Sequence, residues 1–250
     1  MYQTRYHFVP QTTSTNDEAR DPRYSHGDMI RTEFQTAGRG QRGHVWTSPR
    51  GENLIVSIVW EPVFLPASQQ FLISEAVSLA LVDTMALYGI EASIKWTNDI
   101  YVGDRKLVGT LIENNLSGGN IARSIPGIGI NVNQTEFDPS LPNPCSMRQI
   151  LSRVIDRDEL QHRLAAALAA RYDQLENGDR EALQADYRSH MYRLDEEHPY
   201  RYPDGRTVMA VLRGVRPSGE LLLDLPDGRQ EGFLFKEIEF VIEAKERAGI

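Results

Sequence analysis

The sequence has one cysteine, no excess of positive charge and no long hydrophobic run. Because Cys145 is alone, no internal disulfide can form, which indicates a reducing compartment. The 27 Lys and Arg residues against 35 Asp and Glu residues give a net charge of −8, which argues against nucleic-acid binding over the whole surface. No stretch approaches the roughly 18 apolar residues of a membrane span, and the N-terminus lacks the apolar core of a signal peptide. We therefore expect a cytoplasmic protein without a membrane partner.

What is present is an ordinary globular composition. The 250 residues are 40% hydrophobic and 25% charged, enough for one large domain and a small one. Up to about residue 145 the hydrophobic pattern alternates between strand-like and helix-like spacing. It predicts one long helix over 68–87 and strands over 32–35, 53–60, 91–96, 100–102, 106–113 and 121–132. Consecutive hairpins among these strands indicate a mixed or largely antiparallel sheet.

After Cys145 the pattern becomes helical and then returns to strands. Ser146 with Gln149, and Asp156 with Glu159, have the spacing of helix capping boxes. The second pair opens a helix to about residue 176, and a further helix follows over 179–192. From residue 198 onward, three turns separate short β-rich runs, at 203–205, 217–219 and 226–228. The prediction is an α+β fold, with a larger domain over 1–194 and a compact five-stranded barrel over 195–250.

A glycine-rich segment at 38–43 formally matches the dinucleotide-binding pattern G-x-G-x-x-G. That pattern requires a helix to begin in the turn, but Pro49 and Gly51 follow and lead into an apolar strand, so this interpretation fails. Between Arg39 and Arg50 there are three arginines, one histidine and no acid. A glycine-rich turn with arginines can surround an anion such as a phosphate. The alternative is a solvated surface loop.

A second segment offers a matching cation. Lys106 lies directly after the turn formed by Gly103 and Asp104, where it can meet a carboxylate or phosphate as a compact charge. The alternatives are a solvent-facing turn lysine and, for Asp99, a strand-end cap or a surface ion pair. The two segments together predict a site that handles phosphate.

The motifs resemble those of biotin protein ligases, in the order in which that family carries them. They are Ser-Thr-Asn at 14–16, Gln-Thr-Ala-Gly-Arg-Gly-Gln-Arg-Gly at 35–43 with Trp46 and Ser-Pro at 48–49, Lys-Trp-Thr-Asn-Asp at 95–99, Arg-Lys-Leu-Val-Gly at 105–109, and Gly-Ile-Gly-Ile-Asn-Val at 127–132. The resemblance covers the whole chain. It implies a class II synthetase-like catalytic domain of the biotin/lipoate ligase type over 1–194 and an SH3-like barrel over 195–250.

The resemblance also implies an activity and its residues. ATP would activate biotin to biotinyl-5'-AMP with Mg²⁺, and the biotinyl group would pass to a lysine of a biotin carboxyl carrier protein or domain of a biotin-dependent carboxylase. The catalytic positions are Lys106 and Arg39, which offset the repulsion between two approaching anions. The biotin-binding positions are Ser14, Thr15, Asn16, Gln35, Gly38, Arg39, Gly40, Gln41, Lys106, Gly109 and Leu111. The ATP or adenylate positions are Arg42, His44, Trp46, Asn98, Asp99 and Asn131, with Asp99 also a metal ligand.

The chain departs from the family pattern at one position, and other assignments stay open. Gln41 stands where the family commonly has an arginine that helps retain the adenylate, which leaves more of this task to Arg39, Arg42 or His44. The Ser-Thr-Asn motif at 14–16 leaves no room for the N-terminal DNA-binding domain of bifunctional members, so we expect a monofunctional form without DNA binding. A homodimer remains open. The alternative functions are a lipoate ligase and a non-catalytic regulator that binds biotin or nucleotide.

Overall fold

A seven-stranded mixed sheet forms the centre of the computed structural model, which describes residues 2–41 and 45–242. Its strands are β1 (Arg5–Val9), β2 (Asp28–Thr32), β3 (Leu54–Ile58), β4 (Ser93–Lys95), β5 (Asp99–Val102), β6 (Arg105–Ser117) and β7 (Asn120–Ile130). They lie in the order β1-β2-β3-β7-β6-β5-β4. Only β1 and β2 pair in parallel, and every other neighbouring pair in this sheet is antiparallel. The predicted mixed α+β architecture is confirmed.

Five α-helices within the described residues accompany the sheet: α1 (Thr15–Glu18), α2 (Phe71–Ala86), α3 (Met147–Leu151), α4 (Arg157–Glu176) and α5 (Arg180–Ser189). All but three of the 16 residues of α2 are buried, because α2 packs against both α4 and α5. The capping box at Ser146 and Gln149 is complete. At α4 the Asp156 carboxylate accepts the backbone N–H groups of residues 158 and 159, which satisfies donors that lack a partner inside the helix. None of the helices in the described ranges is long and apolar enough to cross a membrane.

The predicted strand at 32–35 is wrong, and the sequence patterns did not predict β1 or α1. The strand at this place is β2, which ends at Thr32. Its hydrophobic pattern is interrupted because Asp28 and Arg31 are buried as partners of other polar groups: Asp28 accepts Arg5 at 2.8 Å, and Arg31 donates to Gln161 at 3.1 Å. The edge strand β1 is mostly exposed, and α1 has only four residues, so neither leaves a clear periodic signal.

The C-terminal part forms a five-stranded antiparallel sheet. Its strands are β8 (Glu197–Arg201), β9 (Thr207–Val215), β10 (Leu221–Asp224), β11 (Gln230–Phe233) and β12 (Glu239–Phe240), in the order β11-β10-β9-β8-β12. The three predicted turns connect β8 through β11, and each contains a glycine at positive φ. Closure of this sheet into a barrel stays a prediction. The sheet contacts the larger unit where the Trp96 indole donates to the Gly219 carbonyl at 3.0 Å.

One buried acid in α2 predicts a pH-dependent stability. Glu75 is 3% exposed, and burial raises the pKa of its carboxyl to about 8 from 4.5. Between these values the folded chain holds a proton that the unfolded chain releases, so the free energy of unfolding falls as pH rises from about 4.5 to 8, by up to about 1.4 kcal/mol per pH unit. We expect Glu75→Gln to remove this contribution and to stabilise the protein at pH 8. Urea denaturation at pH 5 and pH 8 measures it.

The matched control for this measurement is Glu181→Gln, which changes an exposed glutamate on α5. The control should keep the pH dependence of the unmodified protein. Equal loss of stability between pH 5 and pH 8 in the unmodified protein and in Glu75→Gln would contradict the assignment.

Candidate functional site

A single cavity of about 520 Å³ collects residues from all of the sequence motifs. The predicted site residues that line it are Ser14, Thr15, Asn16, Gln35, Arg39, Gly40, Gln41, Trp46, Asp99, Lys106, Gly109, Leu111 and Asn131. Gly38 and Asn98 do not line it. Gly38 packs against the Trp46 backbone, and Asn98 is buried and accepts a hydrogen bond from Gln41. Arg42 and His44 lie outside the described residues. Segments far apart in sequence therefore meet at one place.

The floor of the cavity is formed by glycines on β6 and β7. Gly129 pairs with Gly109, and Gly127 pairs with Leu111 on the neighbouring strand. A Cβ atom on Gly129 would lie 2.4 Å from the Trp46 ring, and one on Gly127 would lie 2.0 Å from Asn16 Oδ1. Neither position has room for a side chain. The glycines are therefore required by the groups that pack directly on the sheet.

A polar network lies at the end of the cavity formed by the Ser-Thr-Asn motif. The Thr15 backbone N–H donates to Gln35 Oε1 at 2.7 Å, and Ser57 Oγ lies 2.7 Å from Thr15 Oγ1 and 2.6 Å from Asn16 Oδ1. The Asn16 amide donates to the Leu111 carbonyl at 3.2 Å and to a carboxylate of β6. Because the protein engages both ends of its amide, Asn16 supports the wall of the cavity. Sequence reasoning missed Ser57, although a serine inside the apolar run of β3 was a usable signal.

The cavity lining has slightly more basic than acidic side chains, although the protein as a whole is acidic. Lys106 follows the turn between β5 and β6, as predicted, and its Nζ donates to Asp99 Oδ2 at 2.7 Å. Lys95 Nζ lies 5.0 Å from the centroid of the Phe240 ring, and burial lowers the pKa of this lysine. With Arg39 and Lys236 these two lysines give the lining four basic side chains against three acidic ones, Asp99, Asp138 and Glu239. A local excess of positive charge of this kind attracts anions.

The C-terminal sheet completes the cavity, and sequence reasoning missed its contribution. Lys236, Ile238, Glu239 and Phe240 are lining residues, although they follow Asn131 by about a hundred positions. No motif marks them, because their place depends on how the two sheets pack together. A hydrophobic pattern identifies strands but not the cavity at their junction.

The residues on the two sides of the glycine-rich turn pair with each other in antiparallel fashion. Arg39 pairs with Val45 in an antiparallel bridge, and the Trp46 backbone N–H donates to the Gly38 carbonyl at 3.0 Å. The Trp46 indole lies over the cavity floor, and its Nε1 has no hydrogen-bond partner among the described residues. This N–H is buried against Gly129 of β7, and a buried donor without a partner is costly.

The side chains of Arg39 and Gln41 in this loop bind different partners. The Gln41 amide donates to Asn98 Oδ1 at 2.7 Å, which ties the loop to the Lys-Trp-Thr-Asn-Asp segment. The Arg39 guanidinium donates to both carboxylate oxygens of Glu113, at 3.0 and 3.1 Å, and to Asp17 Oδ1 at 2.7 Å. Arg39 is therefore ion-paired with protein acids in this structure.

The Glu113 carboxylate on β6 is held in its ionised form by these contacts. Burial alone would raise the pKa of Glu113, but hydrogen bonds from Arg39 and Asn16 outweigh it and hold the pKa below its usual range.

No group of three or more His, Cys, Asp or Glu side chains positioned to hold a metal occurs in residues 2–41 and 45–242. The cavity thus combines a polar end, an apolar floor and a basic region suited to a ligand with a carboxylate or phosphate.

Comparisons with known proteins match this geometry. Residues 7–131 match the model of the Biotin/lipoate A/B protein ligase family. The chain is 32% identical over 223 residues to the bifunctional ligase/repressor BirA of Escherichia coli, covering 86% of this chain and 68% of that protein. It is 30% identical over 227 residues to the biotin--[acetyl-CoA-carboxylase] ligase of Mycobacterium tuberculosis, covering 87% and 82%. The biotin protein ligase from Aquifex aeolicus, solved in complex with biotin and ATP, superposes with a TM-score of 0.79 at 25% identity, covering 97% and 100%.

Proposed function

The chain belongs to the biotin/lipoate A/B protein ligase family, and from that membership we propose that it activates biotin with ATP to biotinyl-5'-AMP and transfers the biotinyl group to a lysine of a biotin carboxyl carrier protein. The observation that carries the proposal is the single cavity in which a polar end, a glycine floor and the Lys106 and Arg39 cations meet. Relatives named as ligases of acetyl-CoA carboxylase support a carboxylase domain as the acceptor.

The residues of the cavity fit the two chemical steps. In the first step the biotin carboxylate attacks the α-phosphorus of ATP, an oxygen–phosphorus bond forms, and pyrophosphate leaves. Both reactants are anionic, so Lys106 lowers the barrier by attracting the carboxylate and the charge that develops on the phosphate. In the second step the lysine amine of the carrier attacks the biotinyl carbonyl, an amide bond forms, and AMP leaves.

We assign the remaining residues by their place in the cavity. Ser14, Thr15 and Gln35 provide polar groups for the ureido ring of biotin, at the end where the network around Thr15 and Gln35 is already formed. Trp46 and Asn131 line the part proposed for the adenine.

Mg²⁺ is proposed to enter with the nucleotide. This ion commonly binds through one or two carboxylates together with substrate phosphates, so a dedicated cluster of acids is not needed. The Asp99 carboxylate lines the cavity beside Lys106, whereas the oxygen of the neighbouring Asn98 is buried and bonded to Gln41. The Asp99 oxygens fit the preference of Mg²⁺, which would supply charge neutralisation to the phosphates.

The experiment is a transfer assay with purified protein, ATP, Mg²⁺ and an unmodified biotin carboxyl carrier domain. A streptavidin-positive carrier is expected with biotin, and lipoate is supplied in a parallel reaction. Transfer of lipoate alone would overturn the proposal in favour of a lipoate ligase. Biotin-dependent exchange of pyrophosphate into ATP tests the first step separately, and binding of biotin without exchange would indicate a non-catalytic regulator.

A further inference from the structure

A carboxylate behind the cavity wall joins two parts of the site that are far apart in sequence. Both carboxylate oxygens of Glu113 on β6 accept hydrogen bonds from the Arg39 guanidinium. The same carboxylate accepts one hydrogen bond from Arg20 at 2.7 Å and one from the Asn16 amide at 2.9 Å. Glu113 does not line the cavity itself. It therefore contacts the polar end of the site and the glycine-rich loop at the same time without lying where a ligand binds.

The contact with Arg39 restrains more than one side chain. Two parallel N–H···O bonds between a guanidinium and a carboxylate fix both distance and orientation. Arg39 also pairs through its backbone with Val45, next to Trp46. The contact between Arg39 and β6 therefore also restrains Val45 and, next to it, the Trp46 indole that lies over the cavity floor.

Other contacts of the loop are weaker than this one. Asp17 also accepts Arg39, but through one oxygen, and its side chain is 40% exposed against 22% for Glu113. Exposed ion pairs are screened by water and contribute little. Gln41 adds a hydrogen bond between neutral amides. The Glu113 carboxylate is thus the main fastening point of the described part of the loop.

We propose that Glu113 is a positioning residue that fastens the glycine-rich loop through Arg39 and thereby slows the release of biotinyl-AMP from the cavity. This inference rests on the proposed function, since it concerns the intermediate of that reaction. Retention matters because a biotinyl-AMP that escapes can react with water or with the amine of any nearby protein. The Glu113 contact keeps it in place until the carrier lysine arrives.

The test measures release of chemically synthesised biotinyl-5'-AMP from the purified full chain after dilution into unlabelled biotinyl-AMP. Loading the intermediate directly makes the result independent of the adenylation rate. Glu113→Gln keeps the shape of the side chain and removes the charge, and we expect release to become about ten-fold faster. Labelling of a bystander protein such as serum albumin should rise relative to labelling of the carrier domain.

Three comparisons show whether Glu113 acts through Arg39. Glu159→Gln, which changes a glutamate paired with Arg163 on the exposed face of α4, should leave release unchanged. Arg39→Gln should release biotinyl-AMP at least as fast as Glu113→Gln does, because it removes both the pairing with Glu113 and a cation of the cavity lining, and adding Glu113→Gln to it should not accelerate release further. If Glu113→Gln fails to fold, Glu113→Asp takes its place: it keeps the charge but withdraws the carboxylate from Arg39, and release should again become faster.

The inference is overturned if Glu113→Gln releases biotinyl-AMP at the rate of the unmodified protein, or if it accelerates release by the same factor when Arg39 is already glutamine. A different failure concerns the proposed function itself. If the unmodified protein does not bind biotinyl-AMP at all, the proposed ligase reaction is wrong, and the role of Glu113 falls with it.

Discussion

Lys106→Ala is expected to slow the formation of biotinyl-AMP by about 10²–10³-fold while leaving the melting temperature nearly unchanged. The Lys106 ammonium lies in the cavity and contacts Asp99 at 2.7 Å, but its side chain is 33% exposed. Partly exposed ion pairs contribute about 0–1 kcal/mol to stability. Removing the charge should consequently lower the rate at which the biotin carboxylate reacts with the α-phosphate of ATP far more than it lowers the free energy of unfolding.

The rate is measured as biotin-dependent exchange of pyrophosphate into ATP, and stability by calorimetry on the same samples. Arg105→Ala is the matched control, because Arg105 is the preceding residue of β6, is exposed and lies outside the cavity lining. It should retain full exchange activity. Loss of folding in Lys106→Ala without a specific loss of exchange would show that the lysine is structural. Lys106→Arg should recover part of the rate, since it restores a positive charge without the same geometry.

The sequence was most informative where the physical signal is local. The long apolar helix, the turn before Lys106 and the glycine turns of the C-terminal sheet each depend on neighbouring residues, and the structure has them where they were predicted. β2 was misplaced because the polar residues Asp28 and Arg31 are buried with partners from other elements. The pattern of hydrophobic residues contains no information on such partners.

The candidate site divides in the same way. Most of the site residues that the motifs predicted do line the cavity, because each motif is a short run whose members act together. Glu113 and Ser57 were missed because they act through Asn16 and Arg39, and Lys236 was missed because two sheets must pack before it reaches the cavity. The ion pairs of Arg39 with acids of β6 and α1 were likewise not predicted, because those acids lie in other elements of the chain.

Replacing either Gly127 or Gly129 on β7 by alanine is expected to have the second large effect on substrate binding. Each substitution adds one methyl group, but the two methyl groups would disturb opposite ends of the cavity. In Gly127→Ala the new Cβ would lie 2.0 Å from Asn16 Oδ1, and the strand cannot retreat because Gly127 pairs with both Ser57 and Leu111. Asn16 must move, which disturbs the polar end. We expect a loss of about 1–3 kcal/mol in stability from overpacking. The KM for biotin should rise about ten-fold or more, as for a hydrogen-bonded site whose partners are displaced.

In Gly129→Ala the Cβ would instead lie 2.4–2.7 Å from three atoms of the Trp46 indole. The indole must leave the cavity floor, so the KM for ATP should rise more than the KM for biotin. Each variant is the control for the other, since strand, substitution and burial are shared. Pyrophosphate exchange with one substrate varied at saturating concentrations of the other separates the two constants, and chemical denaturation reports stability.

The two ends of the cavity are independent only if the effects separate. If both variants raise the KM of the same substrate by the same factor, the glycines serve packing alone and the assignment of a biotin end and an adenine end is wrong. The double variant Gly127→Ala with Asn16→Ala sharpens the comparison. Removing the Asn16 amide makes room for the methyl group, so stability should recover in part. Biotin binding should not recover, because the network that holds Thr15 and Ser57 has lost its central member.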